Sequence, residues 1–214
     1  MRKVVLIGAG GHAKVVIELL KKTAGIEILG LIEKDASRIG KKLLGVPVLG
    51  TDEQFGAMFD KESTYALITV GSVGDNSLRK KLYDNLKNLG FNYINAIHPS
   101  AFISEYAALG EGNTLMAGSM IGPGAEIGNN VIVNTGSIIE HDCRIGNHVH
   151  IAPGVTLSGG VQIGNCAHLG TGATVIQNIN IGANCLIGAG TVVISDVPDN
   201  AVMVGNPGRV IKFR

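Results

Sequence analysis

Residues 133–168 read VNTGSI-IEHDCR-IGNHVH-IAPGVT-LSGGVQ-IGNCAH, six blocks of six that each open on an aliphatic residue. The same cut runs upstream without insertion through Ile127, Ile121, Leu115 and Leu109 to Ile103. Downstream it continues through Leu169, Val175, Ile181 and Ile187 to Val193, and it ends at Pro198. The fifth place of every block is small or β-branched except at Asn113. A six-residue block is one short strand and one tight turn. Three blocks close a triangular coil, and coils stack at the strand spacing of about 4.8 Å. First-place aliphatics then form an inner column, and fifth-place residues fit the corners. Turns such as Gly128-Asn129-Asn130 and Gly182-Ala183-Asn184 use residues that tolerate positive φ.

Residues 1–98 follow a different grammar. Strands are expected at Lys3–Gly8, Ile26–Glu33, Tyr65–Gly71 and Phe91–Ile97. A helix is expected at Ala13–Lys22, with Val15, Val16, Leu19 and Leu20 on one face. A second follows Leu78, Leu82, Leu86 and Leu89 and stops at Gly90. Thr51-Asp52-Glu53-Gln54 has the spacing of a capping box opening a short helix. The alternation predicts a small Rossmann-like parallel α/β sheet over 1–98, followed by a parallel β-helix over 99–214.

Composition agrees with that division. Gly is 31 of 214 residues, aromatics are 4% and Trp is absent, as expected of a core built from small and branched side chains. A formal charge of +1 argues against a nucleic acid or membrane surface held by bulk electrostatics. No apolar run has the length of a membrane span, and Met1–Gly8 reads as a buried strand instead of a signal peptide. Cys143, Cys166 and Cys185 are an odd number without metal-ligand spacing. A reduced cytoplasmic setting and no metal are expected. Cys143 and Cys185 hold fifth places, where packing explains them, and Cys166 falls at a turn.

Two places carry chemistry. His141 is third in its block, on the flank of the prism, where an imidazole can take a proton near neutral pH or simply cap a turn. Gly8-x-Gly10-x-x-Ala13 follows a strand and opens a helix, the context for phosphate at a helix N-terminus, and Glu33 ends the next strand, where a ribose-binding acid would sit. One mononucleotide-binding half is all the domain has room for, so a nicotinamide cofactor is disfavoured. Plain helix-on-strand packing is the competing reading of that glycine turn.

Four motifs in order carry a family resemblance: Gly8-Ala9-Gly10-Gly11-His12-Ala13, Ile97-His98-Pro99-Ser100-Ala101, Ile139-Glu140-His141-Asp142-Cys143 and Gly205-Asn206-Pro207-Gly208-Arg209. With the hexapeptide rows they resemble the bacterial sugar O-/N-acyltransferases of the PglD/NeuD type, over the whole chain. The resemblance implies a left-handed β-helix, a homotrimer with sites between neighbouring β-helices, and acetyl-CoA as acyl donor. It implies N-acetylation of a nucleotide-linked 4-amino-4,6-dideoxy sugar, UDP-linked by preference, for surface glycan biosynthesis. Sialic acid O-acetylation is the alternative within the family, and a non-catalytic nucleotide-sugar-binding scaffold is the alternative outside it.

The same resemblance assigns roles. His141 becomes the general base, with Asp142 raising its basicity where the family carries a glutamate, and Glu140 as a competing orienter. His150 is expected at acetyl-CoA, with His148 as its rival. From the residues themselves, Ser158-Gly159-Gly160 offers backbone N–H groups without side-chain obstruction, and Gly159 is expected to donate to the oxyanion. Thr171 and Ala189 fall along the pantetheine arm. Gly10, Gly11, His12, Glu33, Lys34 and Gly71 are expected at the nucleotide. Glu33-Lys34 stands where the family has two adjacent acids. His98 and His168 are expected to be structural. The stretch Val73-Gly74-Asp75-Asn76 is a candidate loop over substrate.

Overall fold

The computed structural model describes residues 1–214 and separates into two compact units. One comprises Met1–Gly71 and Leu78–Pro99; the other comprises Ser72–Ser77 and Ser100–Arg214. In the first unit β1 (Arg2–Ile7), α1 (Gly11–Lys21) and β2 (Ile26–Ile32) are followed by a hairpin of β3 (Lys42–Leu43) and β4 (Val46–Gly50). Then come α2 (Phe55–Met58), β5 (Thr64–Ile68), α3 (Ser77–Asn88) and β6 (Asn92–Tyr93). The sheet order is β3-β4-β2-β1-β5-β6, parallel except for the β3–β4 pair. Sequence reading missed the hairpin. Thr51 does carry half of a capping box, because its N–H donates to Gln54 Oε1 at 2.9 Å, yet α2 starts only at Phe55.

Helix faces differ in detail from the expected ones. Ala13, Val16, Ile17, Leu19 and Leu20 are buried on α1, whereas Val15 is on the solvent side. On α3 the buried stripe is Arg79, Tyr83 and Leu86, a spacing of i, i+4, i+7, and Leu78 and Leu89 are exposed. Arg79 turns the helix that way. Its Nη1 donates to the carbonyls of Ile68 at 2.6 Å and Val70 at 3.0 Å, which fastens α3 to the end of β5. Burial lowers its pKa to about 9, so it still carries its proton at neutral pH.

In the second unit the blocks stack as a left-handed parallel β-helix. Strand partners lie 18 residues apart, which is three blocks per coil: Val133↔Ile151↔Leu169↔Ile187 on one face, and Ile121↔Ile139↔Leu157↔Val175↔Val193 on the next. Ile127↔Ile145↔Ile163↔Ile181 form the third. First-place residues from Leu115 to Val193 are all buried. A terminal pair, Ala201–Val204 and antiparallel Arg209–Phe213, extends the Ile151 face, with Gly205–Gly208 as its turn.

Turn chemistry is more specific than Gly-or-Asn permissiveness. Positive φ falls on the fourth place of every block from Gly112 to Gly190, including Asn130, Asp142, His148, Cys166, Asn178 and Asn184. Second-place Gly128 is a close-approach glycine instead. Its Cβ would sit 2.6 Å from Asn147 Oδ1 of the coil beneath. That oxygen accepts the Asn129 N–H at 2.8 Å, as Asn165 Oδ1 accepts the Asn147 N–H at 2.7 Å, so this corner is a ladder of amides.

Asn113, the odd fifth-place residue, has a structural purpose. Fully buried, it accepts from Val131 N–H at 2.7 Å and donates to the Gly128 carbonyl at 2.9 Å. Asn113→Ala strands both backbone groups and is expected to cost about 1–3 kcal/mol. Urea denaturation of the variant checks this, and an unchanged midpoint would refute it.

Candidate active site

The corner that follows the Ile139 face carries the dyad. His141 is third in its block and Asp142 is fourth, with φ 58°. The left-handed turn folds the carboxylate back on the ring, and Nδ1 meets Asp142 Oδ2 at 2.8 Å. With Nδ1–H donating there, Nε2 is the nitrogen that carries the free lone pair. Side-chain exposures of 61% and 73% leave both groups open to an incoming molecule. Glu140 is exposed and its side chain makes no hydrogen bond or ion pair, so the ring is oriented by Asp142.

Neighbouring coils leave room for both partners. A Cβ on Gly159, one coil along, would lie 2.5 Å from His141 Cε1 and Nε2. A Cβ on Gly124, one coil back, would lie 2.6 Å from Asp142 Oδ1. The ring therefore lies across one glycine and the carboxylate across another. Backbone bonds pin the pair from both sides: Asp142 N–H to Pro123 O at 3.0 Å, and Gly160 N–H to His141 O at 2.9 Å. Gly124 escaped sequence reading because a fourth-place glycine looks like any other turn residue.

Third-place N–H groups separate the corners. Along the amide ladder they are satisfied by Asn129, Asn147, Asn165 and Asp199. Gly159, and Thr171 with Ala189 on the corner after the Ile151 face, donate to no protein acceptor. Thr171 and Ala189 are exposed and stacked, with the Gly190 N–H bonded to Thr171 O at 2.9 Å.

His150 lies on the Ile151 face beneath the segment Ser72–Ser77, and its Nδ1 is 2.9 Å from Ser72 Oγ and 2.8 Å from Ser72 O. Nε2 is 3.4 Å from Asn134 Nδ2. Asn76 Nδ2 reaches the carbonyls of His148, Cys166 and Ala167 at 2.9, 3.2 and 3.0 Å. The stretch 73–76 is thus strapped down at both ends, with Val73 and Asp75 exposed between them. His148 adopts φ 60° and its Nδ1 contacts Asn130 Nδ2 at 3.0 Å. His168 stacks edge-on against His150 at 4.8 Å, and burial, then Arg214, lowers its pKa to about 4. Cys143 and Cys185 are buried, with thiol pKa values raised chiefly by that burial.

In the α/β unit, α1 begins at the expected glycines. Gly10 is its N-cap with no side-chain cap, and a Cβ on Gly10 or Gly11 would meet nothing within 4 Å. Glu33 is anchored by one oxygen: Oε2 accepts from Ala9 N–H at 2.9 Å and Arg38 Nη1 at 3.2 Å. Arg38, which sequence reading passed over, also donates to Ala9 O at 3.1 Å and so braces the glycine loop. Gly71 packs against His12, whose Cβ would be 3.2 Å from an added methyl. Lys34 is exposed beside Glu33.

Residues 3–86 match the PglD N-terminal domain family, and 106–141 and 142–177 match the bacterial transferase hexapeptide (six repeats) family. Perosamine N-acetyltransferase from Caulobacter crescentus, solved as its H141N variant with CoA and GDP-perosamine, is 41% identical, superposes with a TM-score of 0.91, and aligns over 98% of this chain and 97% of that one. The chain belongs to the PglD-type sugar acyltransferases. The acetyltransferase domain of PglB from Neisseria gonorrhoeae, in complex with acetyl coenzyme A, is 35% identical with a TM-score of 0.89, over 98% and 99% of the two chains. UDP-N-acetylbacillosamine N-acetyltransferase of Bacillus subtilis is 38% identical over 119 residues, 55% of this acyltransferase chain but only 52% of that protein. The alignment thus spans about half the length of that curated relative.

His168 makes stability pH-dependent. Its folded pKa of about 4 lies below the ordinary 6.5, so between those values the unfolded chain binds a proton that the folded one refuses. Its contribution is complete above pH 6.5 and is lost as pH falls toward 4, up to ~3 kcal/mol. Melting temperatures of wild type and His168→Phe should converge or cross over that window; parallel profiles would contradict it.

Proposed function

We propose that the chain is an acetyl-CoA-dependent N-acetyltransferase acting on the amino group of a nucleotide-linked 4-amino-4,6-dideoxy sugar. The observation that carries this is the exposed His141 ring, oriented through Nδ1 by Asp142, with Nε2 poised over a glycine. Nε2 takes the proton from the sugar amine as its nitrogen attacks the thioester carbonyl. Gly159 N–H, uncommitted within the protein, donates to the oxyanion that forms. The imidazolium then returns the proton to the departing CoA sulfur. Only a neutral amine attacks, so a base at this point serves an amino sugar well near neutral pH. Relatives named for GDP-perosamine and for UDP-N-acetylbacillosamine support an amino-sugar nucleotide.

Thr171 and Ala189 offer stacked N–H groups to the pantetheine amides, and Gly10, Gly11 and His12 with Glu33, Lys34 and Gly71 frame a diphosphonucleoside at the start of α1. His150 is assigned to the acetyl-CoA side of the site through the same family resemblance, held in place by Ser72.

Assembly as a homotrimer is part of the proposal. Outward side chains differ by face: Glu126, Arg144, Gln162 and Asn180 make the Ile145 face polar, walling a groove of about 1070 Å³ that contains neither His141 nor Gly159. Phe102, Met120, Ile138, Thr156, Thr174 and Val192 make the Ile139 face apolar and β-branched. Phe102 is 57% and Met120 46% exposed, which favours a second copy as their cover, with His141 at the seam.

His141→Ala is expected to lower kcat roughly 10²- to 10⁴-fold with the oligomer intact. Near-normal turnover of acetyl-CoA with the amino-sugar nucleotide would remove His141 as the base. Gly159→Ala should displace the ring and cut turnover at least tenfold, on the order of the loss of one positioned group, with little change in melting temperature. The double variant Met120→Glu, Ile138→Glu should sediment as a monomer and lose activity; a fully active monomer would refute the seam.

A further inference from the structure

A cavity of about 350 Å³ opens in the α/β unit at the carboxyl ends of β1 and β2, where Ile7 and Ile32 end their strands. Its walls are aliphatic and aromatic, and the three polar side chains lining it are Asp52, Asn85 and Asn88. None of the three side chains has a protein hydrogen-bond partner. The half-buried Asp52 carboxylate has its pKa raised, first by burial and then by the negative Glu33 nearby.

We propose that this cavity receives the nucleobase of the substrate and that Asp52 makes it a guanine site. The proposal rests on the nucleotide-sugar reading above and deepens it. Open parallel sheets bind ligands at the carboxyl ends of their strands, and Asp52 lies within electrostatic reach of Glu33, the expected ribose acid. Apolar walls suit the faces of an aromatic base. The edge chemistry then selects which base. Guanine presents N1–H and the exocyclic N2–H side by side, two donors matched to the two oxygens of one carboxylate. Uracil presents carbonyl oxygens on both sides of a single N–H, which sets acceptor against acceptor. Adenine presents a bare N1 acceptor and meets the same objection. A carboxylate that has lost water and faces a like charge gains most from a ligand supplying two donors. The Asn85 and Asn88 amides can donate to the O6 and N7 acceptors at the other end of the purine. The assignment runs against the uridine preference that the family resemblance implies.

Calorimetric titration of the full-length protein with GDP, IDP and UDP, without acetyl-CoA, tests it. GDP should bind at least about tenfold more tightly than UDP, with IDP, which lacks the 2-amino group, between them. Asp52→Asn should weaken GDP roughly 10- to 100-fold, the range of one bidentate base contact, and leave UDP unchanged or improved. Wild-type protein that binds UDP as well as GDP, or a variant that keeps the GDP preference, would overturn the assignment. Because binding is read without turnover, tight GDP binding with no acetylation of any amino-sugar nucleotide would sink the acetyl transfer and leave the base assignment standing. Turnover with equal KM for GDP- and UDP-linked amino sugars would sink the base assignment alone.

Discussion

The 18-residue register is the constraint from which the second unit follows. Each coil must place its strands directly over those of its neighbours, and it can do so only if every corner turns by the same amount. Fourth-place residues meet that demand by taking positive φ from Gly112 to Gly190 without a gap. Non-glycine residues pay for the left-handed conformation, at roughly 1–2 kcal/mol for most side chains and less for Asn and Asp, which bond locally. At two of these positions the structure shows a return: Asn130 meets the His148 ring, and Asp142 meets the His141 ring.

That geometry makes the dyad an outcome of the stack. Asp142 reaches Nδ1 because a left-handed residue folds its side chain toward the one before it. The ring has space because the residue one coil along is Gly159, and the carboxylate has space because the residue one coil back is Gly124. Gly159 follows His141 and Gly124 precedes Asp142 by the same 18 residues, so a rigid spacing replaces the loop flexibility that many sites have to restrain. Pre-positioned groups lose little entropy on reaching the reactive arrangement.

The repeat was legible because it is a pattern of side-chain type at fixed spacing, and its inner column needs only aliphatic identity at the first place. His141, Asp142 and Gly159 could be named from motif and resemblance, and the structure brings those three together. What the sequence hid was relational. Gly128 and Asn129 both look like turn formers, yet one is there for the close approach of the coil beneath and the other for an amide ladder. The leucines of α3 advertise a face at 78, 82, 86 and 89, but a buried Arg79 binding two carbonyls rotates the helix so that Leu78 and Leu89 are exposed. Arg38 is one more exposed-looking cation until its bonds to Glu33 and Ala9 are seen. The β3–β4 hairpin is too short to show a period.

Backbone amides and side chains are suited to holding different kinds of group. In the proposed function, backbone amides at the start of α1 and along the β-helix corners, which have no freedom to choose partners, serve invariant parts: a diphosphate and the repeated amides of a pantetheine arm. Variable parts need side chains that differ from one chain to another. Asp52 sits at a turn, outside any regular element, and its carboxylate has no other hydrogen-bonding duty. His141 has no such freedom, since its ring, its carboxylate and both glycines are tied to one spacing. On the proposed function, chemistry is written into the repeat, where substitution is costly, and substrate choice into the α/β unit, where it is cheap.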